Sequence, residues 1–160
     1  MIRITICFVT FAAGPAMLRP DTLMLAAQNQ GLQPIVISPK ASEATKSVAS
    51  ELAEYLGRIC GAKFEVQAGD GSRGIVLGTI DQFPHPALEK SLEIRNTYDG
   101  KEAFAIRTES KRLLLIGATE LGASHAAYRL LEHLGCRWFF PAVEWEVVPQ
   151  QKTLHVDLNE

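Results

Sequence analysis

The feature that most constrains the fold is an unbroken apolar run, Leu113–Ile116, followed directly by the pattern of a helix. A run this short is typical of a strand that is buried on both faces of a sheet. Gly117 ends the run, and Thr119 stands where a helix N-cap accepts a backbone N–H. Gly135 occupies the C′ position, where many helices end in a left-handed residue. The sequence therefore predicts a central strand and then a helix between Thr119 and Gly135.

This second helix carries one apolar stripe with steps of three and four residues, as expected for a helix packed on a sheet. The predicted stripe consists of Leu121, Ala127, Tyr128, Leu131 and Leu134, with the small Ser124 on the same side. Arg129, Glu132 and His133 are predicted to face solvent. Beyond Gly135, the stretch Cys136–Phe140 predicts another strand, which Pro141 ends.

The remaining elements follow from the same patterns. A first long helix is predicted after Ser42, with an apolar face from Ala44 to Ile59, and Gly61 ends it. The other predicted strands are Gln33–Ser38, Phe64–Val66, Ile75–Gly78, Glu102–Arg107, Glu144–Val148 and Thr153–Val156. The strand Glu102–Arg107 forms a hairpin with the central strand. The predicted class is α+β, a mixed sheet with two long helices packed on one face.

Composition narrows the functional classes. The 160 residues are 47% hydrophobic and 21% charged, which is typical of one globular domain with a sizeable core. A net charge of −2 and the lack of a basic block argue against a nucleic-acid partner. No apolar run approaches the roughly 18–20 residues of a membrane span, so we expect none in the mature chain.

The N-terminus has the pattern of a signal peptide. The basic start Met1–Arg3 precedes the apolar run Ile4–Ala13, and small residues follow at Ala12–Ala16. We therefore predict a leader over residues 1–30, outside the fold, and a folded domain over residues 31–160. The mature protein is expected to be secreted or periplasmic in a bacterium.

Two cysteines, Cys60 and Cys136, remain beyond this leader. In an exported protein they could form a disulfide, but cysteine is also a common small buried residue. The sequence favours two buried thiols.

The segment from Gly117 to Gly122 suggests a nucleotide-binding turn, because glycines between a strand and a helix let backbone N–H groups meet a pyrophosphate. It lacks the middle glycine of that motif, and no Gly-Lys-Ser/Thr follows. The next strand also ends in aromatic residues where an acidic residue would hold a ribose. A tight strand-to-helix turn is the better interpretation, and no cofactor is predicted.

Catalytic and metal motifs are missing from the sequence. His125 and His133 lie eight residues apart, and no His-Glu-x-x-His pattern or Gly-x-Ser-x-Gly elbow is present. Glu144 and Glu146 share one face of a predicted strand, and we interpret that face as solvent-exposed. We assign no catalytic and no metal-binding residue.

An aromatic group near the C-terminus is the one feature that could meet a ligand. The candidate carbohydrate-binding or domain-interface residues are Arg137, Trp138, Phe139, Phe140 and Trp145. Aromatic faces stack on sugars, and they also fill domain interfaces. Packing is the favoured interpretation.

Several segments of the chain follow one another in an order that is found in a known protein family. They are Ile35–Ser38, Ala49–Leu56, Ile59–Ala62, Ile75–Gly78, Phe104–Ile106, and the run from Gly117 through Ala127–Glu132 to Gly135–Pro141, which is the most specific. With these residues the chain resembles the N-terminal domain of the glycoside hydrolase family 67 α-glucuronidases and of related secreted bacterial proteins. That domain is similar to the non-catalytic domain that precedes the barrel in β-N-acetylhexosaminidases.

The resemblance implies an accessory sandwich domain that precedes a (β/α)₈ barrel, which supplies the catalytic carboxylates. The partner is then such a barrel, in cis or in trans, in an enzyme that acts on a polysaccharide such as xylan. Two alternatives remain: a free-standing module that binds oligosaccharide through Trp138 and Trp145, and a nucleotide-binding domain. A flat exposed aromatic row would favour sugar, whereas burial or a broad apolar patch would favour a missing protein partner.

Overall fold

A computed structural model describes residues 22–96, 100–140 and 142–160 of the chain. The helices are α1 (Glu43–Cys60), α2 (Pro86–Glu89) and α3 (Glu120–His133), with a 3₁₀ turn at Val143–Trp145. The strands are β1 (Leu23–Ala27), β2 (Gln30–Gly31), β3 (Ile35–Ile37), β4 (Val66–Ala68), β5 (Gly74–Thr79), β6 (Phe104–Glu109), β7 (Arg112–Gly117), β8 (Arg137–Trp138), β9 (Glu146–Val147) and β10 (Thr153–Val156).

The largest sheet of the described ranges has five strands in the order β4-β3-β5-β7-β6. Strands β4, β3, β5 and β7 run parallel, and β6 pairs antiparallel with β7 as the predicted hairpin. A smaller sheet has the order β10-β1-β2, and β8 pairs with β9. The mixed sheet and the two long helices confirm the predicted α+β class.

Strand β7 lies at the centre of the core, as predicted. Leu113 and Leu115 belong to the cluster that α1 and α3 cover, whereas Leu114 and Ile116 pack on the other face against Phe83 and its neighbours. Successive side chains of a strand point to opposite faces, so a strand covered on both faces must be apolar at every position.

Both long helices pack on the same face of the sheet and against each other. The side chains of Ser42 and Thr119 accept N-cap hydrogen bonds from Thr45 and Gly122, as expected for these residue types. Gly61 follows α1 in the left-handed conformation, with φ of 71°. The predicted starts and ends of both helices are thus confirmed.

The predicted stripe of α3 is buried at Ala127, Leu131 and Leu134 but not at its first position, Leu121. Leu121 is 51% exposed, while Ala126 and Leu130 are completely buried. The helix approaches the sheet so closely that a Cβ at Gly122 would overlap the carbonyl oxygen of Ala103. Small residues therefore occupy the contact, and the larger Leu121 is rotated out of it.

The predicted strand over Cys136–Phe140 is also corrected, because β8 contains only Arg137–Trp138 and lies outside the five-stranded sheet. Gly135, with φ of 101°, turns the chain away from the sheet, and the amide of Cys136 still donates to the carbonyl of Leu131 at 2.9 Å. Pro141, the predicted end of this strand, lies outside the described residues. The predicted strand over 144–148 is likewise reduced to the 3₁₀ turn and β9.

The fold begins earlier than residue 31. Strand β1 pairs antiparallel with β10, and Leu25 and Ala26 are completely buried. The stretch that we assigned to the end of a leader is thus part of the core, because its apolar side chains pack with Leu154 and Val156 of β10. The remainder of the predicted leader, residues 1–21, lies outside the described residues. None of the helices in the described ranges has both the length and the apolar character of a membrane span.

The two thiols are free and buried, as the sequence favoured. The thiol of Cys60 donates to the carbonyl of Leu56 at 3.1 Å. Burial raises the pKa of Cys136 above its ordinary value. Both residues therefore act as small core residues rather than as reactive thiolates.

Candidate functional site

The aromatic residues singled out in the sequence lie on and between the two strands of one short hairpin. Arg137 pairs with Val147, and Trp138 pairs with Glu146. The amide of Phe139 adds a hydrogen bond to the carbonyl of Trp145 at 3.1 Å. The hairpin thereby brings together residues from two separate stretches of sequence.

Trp138 attaches the hairpin to both long helices. Its ring meets the ring of Tyr55 on α1 edge-on at a centroid distance of 5.4 Å, and that of Tyr128 on α3 at 5.8 Å. Edge-to-face pairs of this kind contribute about 0.5–1.5 kcal/mol each beyond area burial. Trp138 is consequently an anchor, with 36% of its surface exposed.

Glu146 is the polar centre of the attachment. Only 8% of its side chain is exposed. It accepts hydrogen bonds from the hydroxyl of Tyr55, from the guanidinium of Arg58 at 2.7 Å, and from the indole N–H of Trp138 at 3.0 Å. The bonds from Arg58 and Tyr55 lower the pKa of Glu146 below its ordinary value. The carboxylate is therefore charged and satisfied, so its burial is tolerated.

The two tyrosines are themselves held in place. The hydroxyl of Tyr128 donates to Glu51 on α1 at 2.8 Å, and burial together with this bond raises the pKa of Tyr128 to about 12. The guanidinium of Arg58 lies 4.9 Å from the centre of the Tyr55 ring, within the range of a cation–π contact. The helices thus present a rigid surface to the hairpin.

The outer side of the hairpin is apolar and uncovered. Phe139 is 68% exposed, Phe140 67% and Trp145 58%, and Val147 on β9 is exposed beside them. We call Phe139, Phe140, Trp145 and Val147 the aromatic patch. Single exposed apolar residues are ordinary on protein surfaces, whereas a contiguous group of large ones marks an interaction site.

The five candidate residues from the sequence thus separate into two groups. Arg137 donates to the backbone carbonyl of Glu132 in the last turn of α3 at 2.7 Å and to that of Cys136 at 2.6 Å, which ties its side chain to the end of the helix. Trp138 and Arg137 fix the hairpin, and the other three candidates form most of the patch.

Sequence reasoning missed the residues that hold the hairpin, namely Tyr55, Arg58, Tyr128 and Glu146. Tyr55 and Tyr128 were recognised only as positions on the apolar stripes of their helices. The available signal was the tyrosine hydroxyl at such a position, because a half-buried hydroxyl usually forms a hydrogen bond. The interpretation of Glu146 as solvent-exposed is wrong, since its side chain faces α1.

The turn between β7 and α3 is built for close packing. A Cβ at Gly117 would overlap the backbone of Ala123, and a Cβ at Gly122 would overlap that of Ala103. The amide of Ala118 already donates to the carbonyl of Ala103 at 2.8 Å. These contacts favour the tight-turn interpretation over a phosphate-binding loop.

The cluster of His85, Glu109 and Arg112 is hydrogen-bonded internally, except that His85 Nδ1 is buried without a partner in the described structure. His85 Nε2 lies 2.9 Å from Glu109, which also accepts from Arg112 at 2.7 Å. Burial opposes ionisation of Glu109, but the bonds from Arg112 and His85 prevail and lower its pKa. Among the residues that the structure describes, no group of three or more His, Cys, Asp or Glu side chains is arranged to hold a metal ion.

An apolar groove of about 350 Å³ lies between the first turns of α1 and α3, lined by Val48, Leu77 and Leu121 among others. It shares no lining residue with the aromatic patch. Leu121 therefore offers an exposed apolar control position away from the hairpin.

Comparison with solved structures finds chains that are similar to this one in fold. One neighbour is a family GH115 4-O-methyl-α-glucuronidase with specificity for decorated arabinogalactans, with a TM-score of 0.59 and 20% identity over 87% of this chain. Another is a GH138 enzyme targeting pectin rhamnogalacturonan II, with a TM-score of 0.44 and 18% identity over 63% of this chain. The chain spans 18% and 13% of the lengths of these two structures.

The sequence comparison is more specific than the structural one. No curated protein sequence matches the chain significantly. Residues 20–130, which contain the five-stranded sheet, α1 and most of α3, match the family described as Glycosyl hydrolase family 67 N-terminus. The hairpin lies beyond the matched residues. This match confirms the resemblance carried by the sequence, and the chain belongs to the glycosyl hydrolase family 67 N-terminus family.

Proposed function

We propose that the chain is an accessory, non-catalytic domain of a carbohydrate-active enzyme, and that it packs through the aromatic patch against the catalytic barrel domain of that enzyme. The observation that carries this proposal is the patch itself, because three large aromatic side chains are exposed on an anchored hairpin. Each aromatic ring buries about 150–250 Å² when it is covered, so a partner of matching shape gains substantially by binding there.

The polar groups around the patch favour a protein partner over a sugar. A sugar site combines an aromatic face with free hydrogen-bonding groups, because every sugar hydroxyl has to be satisfied. Here Trp138 and Glu146 are hydrogen-bonded to each other, and Arg137 is hydrogen-bonded to backbone carbonyls. Apart from the exposed carboxylate of Glu144, what the described part of the hairpin offers outward is mainly apolar, which suits the core of a domain interface.

The substrate class and the location of the parent enzyme extend the same proposal. A polysaccharide that carries glucuronic acid, such as xylan, is the substrate we propose for the enzyme, on the strength of the family to which this domain belongs. Export to the periplasm or the medium is proposed from the basic start and apolar run at residues 1–13. N-terminal sequencing of protein from fractionated cells tests export, and full-length protein in the cytoplasm would contradict it.

The direct test of docking uses the glycoside hydrolase barrel that the same or an adjoining gene encodes. We expect the chain and the barrel to co-elute in size-exclusion chromatography with light scattering. Phe139→Ser combined with Trp145→Ser should abolish the complex. Leu121→Ser, an exposed leucine outside the patch, is the matched control and should leave it intact. Co-elution that survives the double substitution would contradict the assignment of the patch, and no complex would contradict docking.

A sugar-binding module is the second candidate, favoured by the exposure of Trp145. Its test is intrinsic fluorescence of the chain titrated with xylan-derived and chitin-derived oligosaccharides. A saturable shift that Trp145→Ala removes would establish sugar binding and displace the docking proposal. We expect no shift, because Trp138 is fixed edge-on between two tyrosines and the polar groups beside it are occupied.

A further inference from the structure

We infer that Glu146 is the positioning residue of the aromatic patch, so that its carboxylate, through Tyr55 and Arg58, sets how the hairpin is presented to a partner. The inference rests on the proposed docking function, because presentation of the patch matters only if a partner binds there. The attachment of the hairpin by Glu146 is a property of this chain alone and is tested on this chain.

The first observation is that the hairpin is too short to hold its own shape. Strands β8 and β9 contribute two residues each, and the backbone bond from Phe139 to Trp145 extends the pairing by one step. A two-stranded hairpin, even a longer one, is only marginally stable in water. The orientation of the patch must therefore come from contacts between the hairpin and the rest of the domain.

The second observation is how unequally the two strands are attached. Strand β8 follows α3 after a short turn, and Arg137 and Trp138 both hold it against the helices. Strand β9 begins 13 residues after the end of α3, and within the strand the side-chain hydrogen bonds to α1 in the described structure are those of Glu146. The next side-chain hydrogen bond to α1 along the chain comes from Gln150, which donates to the carbonyl of Arg58 at 2.8 Å. Trp145 of the patch immediately precedes Glu146.

The third observation is the geometry of the carboxylate. One oxygen accepts from Tyr55 and from Trp138, and the other accepts from Arg58. Tyr55 and Arg58 are fixed one turn apart on α1, so the two oxygens fix both the position and the rotation of the Glu146 side chain. Glu146→Gln keeps one acceptor oxygen but turns an N–H₂ toward one of the donors. It should therefore retain part of the attachment, whereas Glu146→Ala removes all of it.

The test is amide hydrogen exchange, followed by NMR, on the full chain without a partner. Glu146→Ala should accelerate exchange of the Phe139 amide by about tenfold or more, because hydrogen bonds to a charged group are lost and the hairpin opens locally. Glu146→Gln should give a smaller acceleration. Exchange of the Leu115 amide in the central sheet should be unchanged.

Glu144→Ala is the matched control, since Glu144 is an exposed carboxylate two residues earlier, and it should leave the Phe139 amide at the wild-type rate. An unchanged Phe139 rate in Glu146→Ala would overturn the inference. Equal acceleration at Phe139 and Leu115 would also overturn it, because the residue would then stabilise the fold generally. Failure of the docking function would show only in the co-elution experiment, so the two failures are distinguishable.

Discussion

The central strand β7 and the β8–β9 hairpin are both rich in large apolar residues, yet they are in opposite environments. Leu113, Leu115 and Ile116 are completely buried, whereas Phe139, Phe140 and Trp145 each have more than half of their surface exposed. The strand is covered by helices on one face and by the α2 region on the other. The hairpin is covered by the described residues on its inner side only. Hydrophobicity alone therefore does not indicate whether a segment lies in the core or on the surface.

The two regions also differ in what holds them. Strand β7 is held by ladder hydrogen bonds on both sides and by apolar packing, neither of which depends on pH near neutrality. The hairpin is held by a charged carboxylate with its donors and by edge-on aromatic contacts. We therefore expect the hairpin to respond to conditions and substitutions that leave the sheet unchanged.

The largest effect is expected from a cavity in the sheet. Leu115→Ala removes a completely buried side chain and should lower the free energy of unfolding by about 2–5 kcal/mol. Urea denaturation followed by circular dichroism measures the change. Phe140→Ala on the hairpin is the control and should change stability by no more than about 0.5 kcal/mol. Equal losses of stability in the two variants would show that the central strand and the hairpin do not differ in their contribution to the fold.

A smaller loss is expected where α3 touches the sheet. Gly122→Ala places a Cβ against the backbone of Ala103 and should destabilise the fold by about 1–3 kcal/mol. Gly57→Ala on α1 is the matched control and should change stability little. Its Cβ would lie 3.0 Å from the Ala62 carbonyl oxygen, and the higher helix propensity of alanine should offset this close contact. If Gly122→Ala instead left stability intact and abolished nucleotide binding, the tight-turn interpretation would fail.

Acid should loosen the hairpin before the sheet. The pKa of Glu146 is lowered in the folded state by Arg58 and Tyr55, so its stabilising contribution is complete above the ordinary value of 4.5 and is lost as pH falls through the lower folded pKa. Tryptophan emission should therefore shift in this acid range while far-ultraviolet circular dichroism stays constant. The shift should be absent in Glu146→Gln. Simultaneous loss of both signals would mean that the hairpin has no separate transition.

Alkaline titration probes the helix surface under the hairpin. Burial and the bond to Glu51 raise the pKa of Tyr128 to about 12, above the ordinary value of 10.0. The stabilisation is complete below pH 10.0 and is lost as pH rises through the folded pKa. Burial and the bond to Glu146 also raise the pKa of Tyr55, so two tyrosines should titrate late in phenolate absorbance, and Tyr128→Phe should remove the component near 12. A Tyr128 that titrates at the ordinary value would contradict the contact with Glu51.

The smallest effect on stability is expected at the patch, where the effect on binding is greatest. Trp145→Ser should change the free energy of unfolding by no more than about 0.5 kcal/mol, because the side chain is largely exposed. The same substitution should weaken co-elution with the barrel domain. A large loss of stability would show that Trp145 belongs to the core of this domain.

Much of the fold could be predicted because its signals are local. The run Leu113–Ile116, the N-caps Ser42 and Thr119 and the glycines after each helix act within a few residues, and the structure agrees with them. The buried face of α3 was predicted less well. Ala127, Leu131 and Leu134 are buried as predicted, but small residues such as Ala126 make the contact at the start of the helix, and the large Leu121 was wrongly placed there.

The candidate site was predicted only in part for the same reason. The sequence drew attention to Trp138–Phe140 and Trp145, which are unusual in composition and close together. The sequence did not indicate that Glu146 accepts hydrogen bonds from Tyr55 and Arg58, which lie 91 and 88 positions away along the chain. Pairings over such distances leave no periodic pattern, and a carboxylate two residues from another on a strand is ordinarily exposed.

The sequence by itself determined the strand and helix positions, their ends, the α+β class and the family resemblance, because these depend on neighbouring residues along the chain. Only the tertiary structure decided which apolar residues lie inside and which lie on the patch, and that the side chain of Glu146 faces α1. Burial depends on what packs against a side chain from elsewhere in the chain. The same kind of aromatic residue therefore becomes an anchor at Trp138 and an exposed surface residue at Trp145.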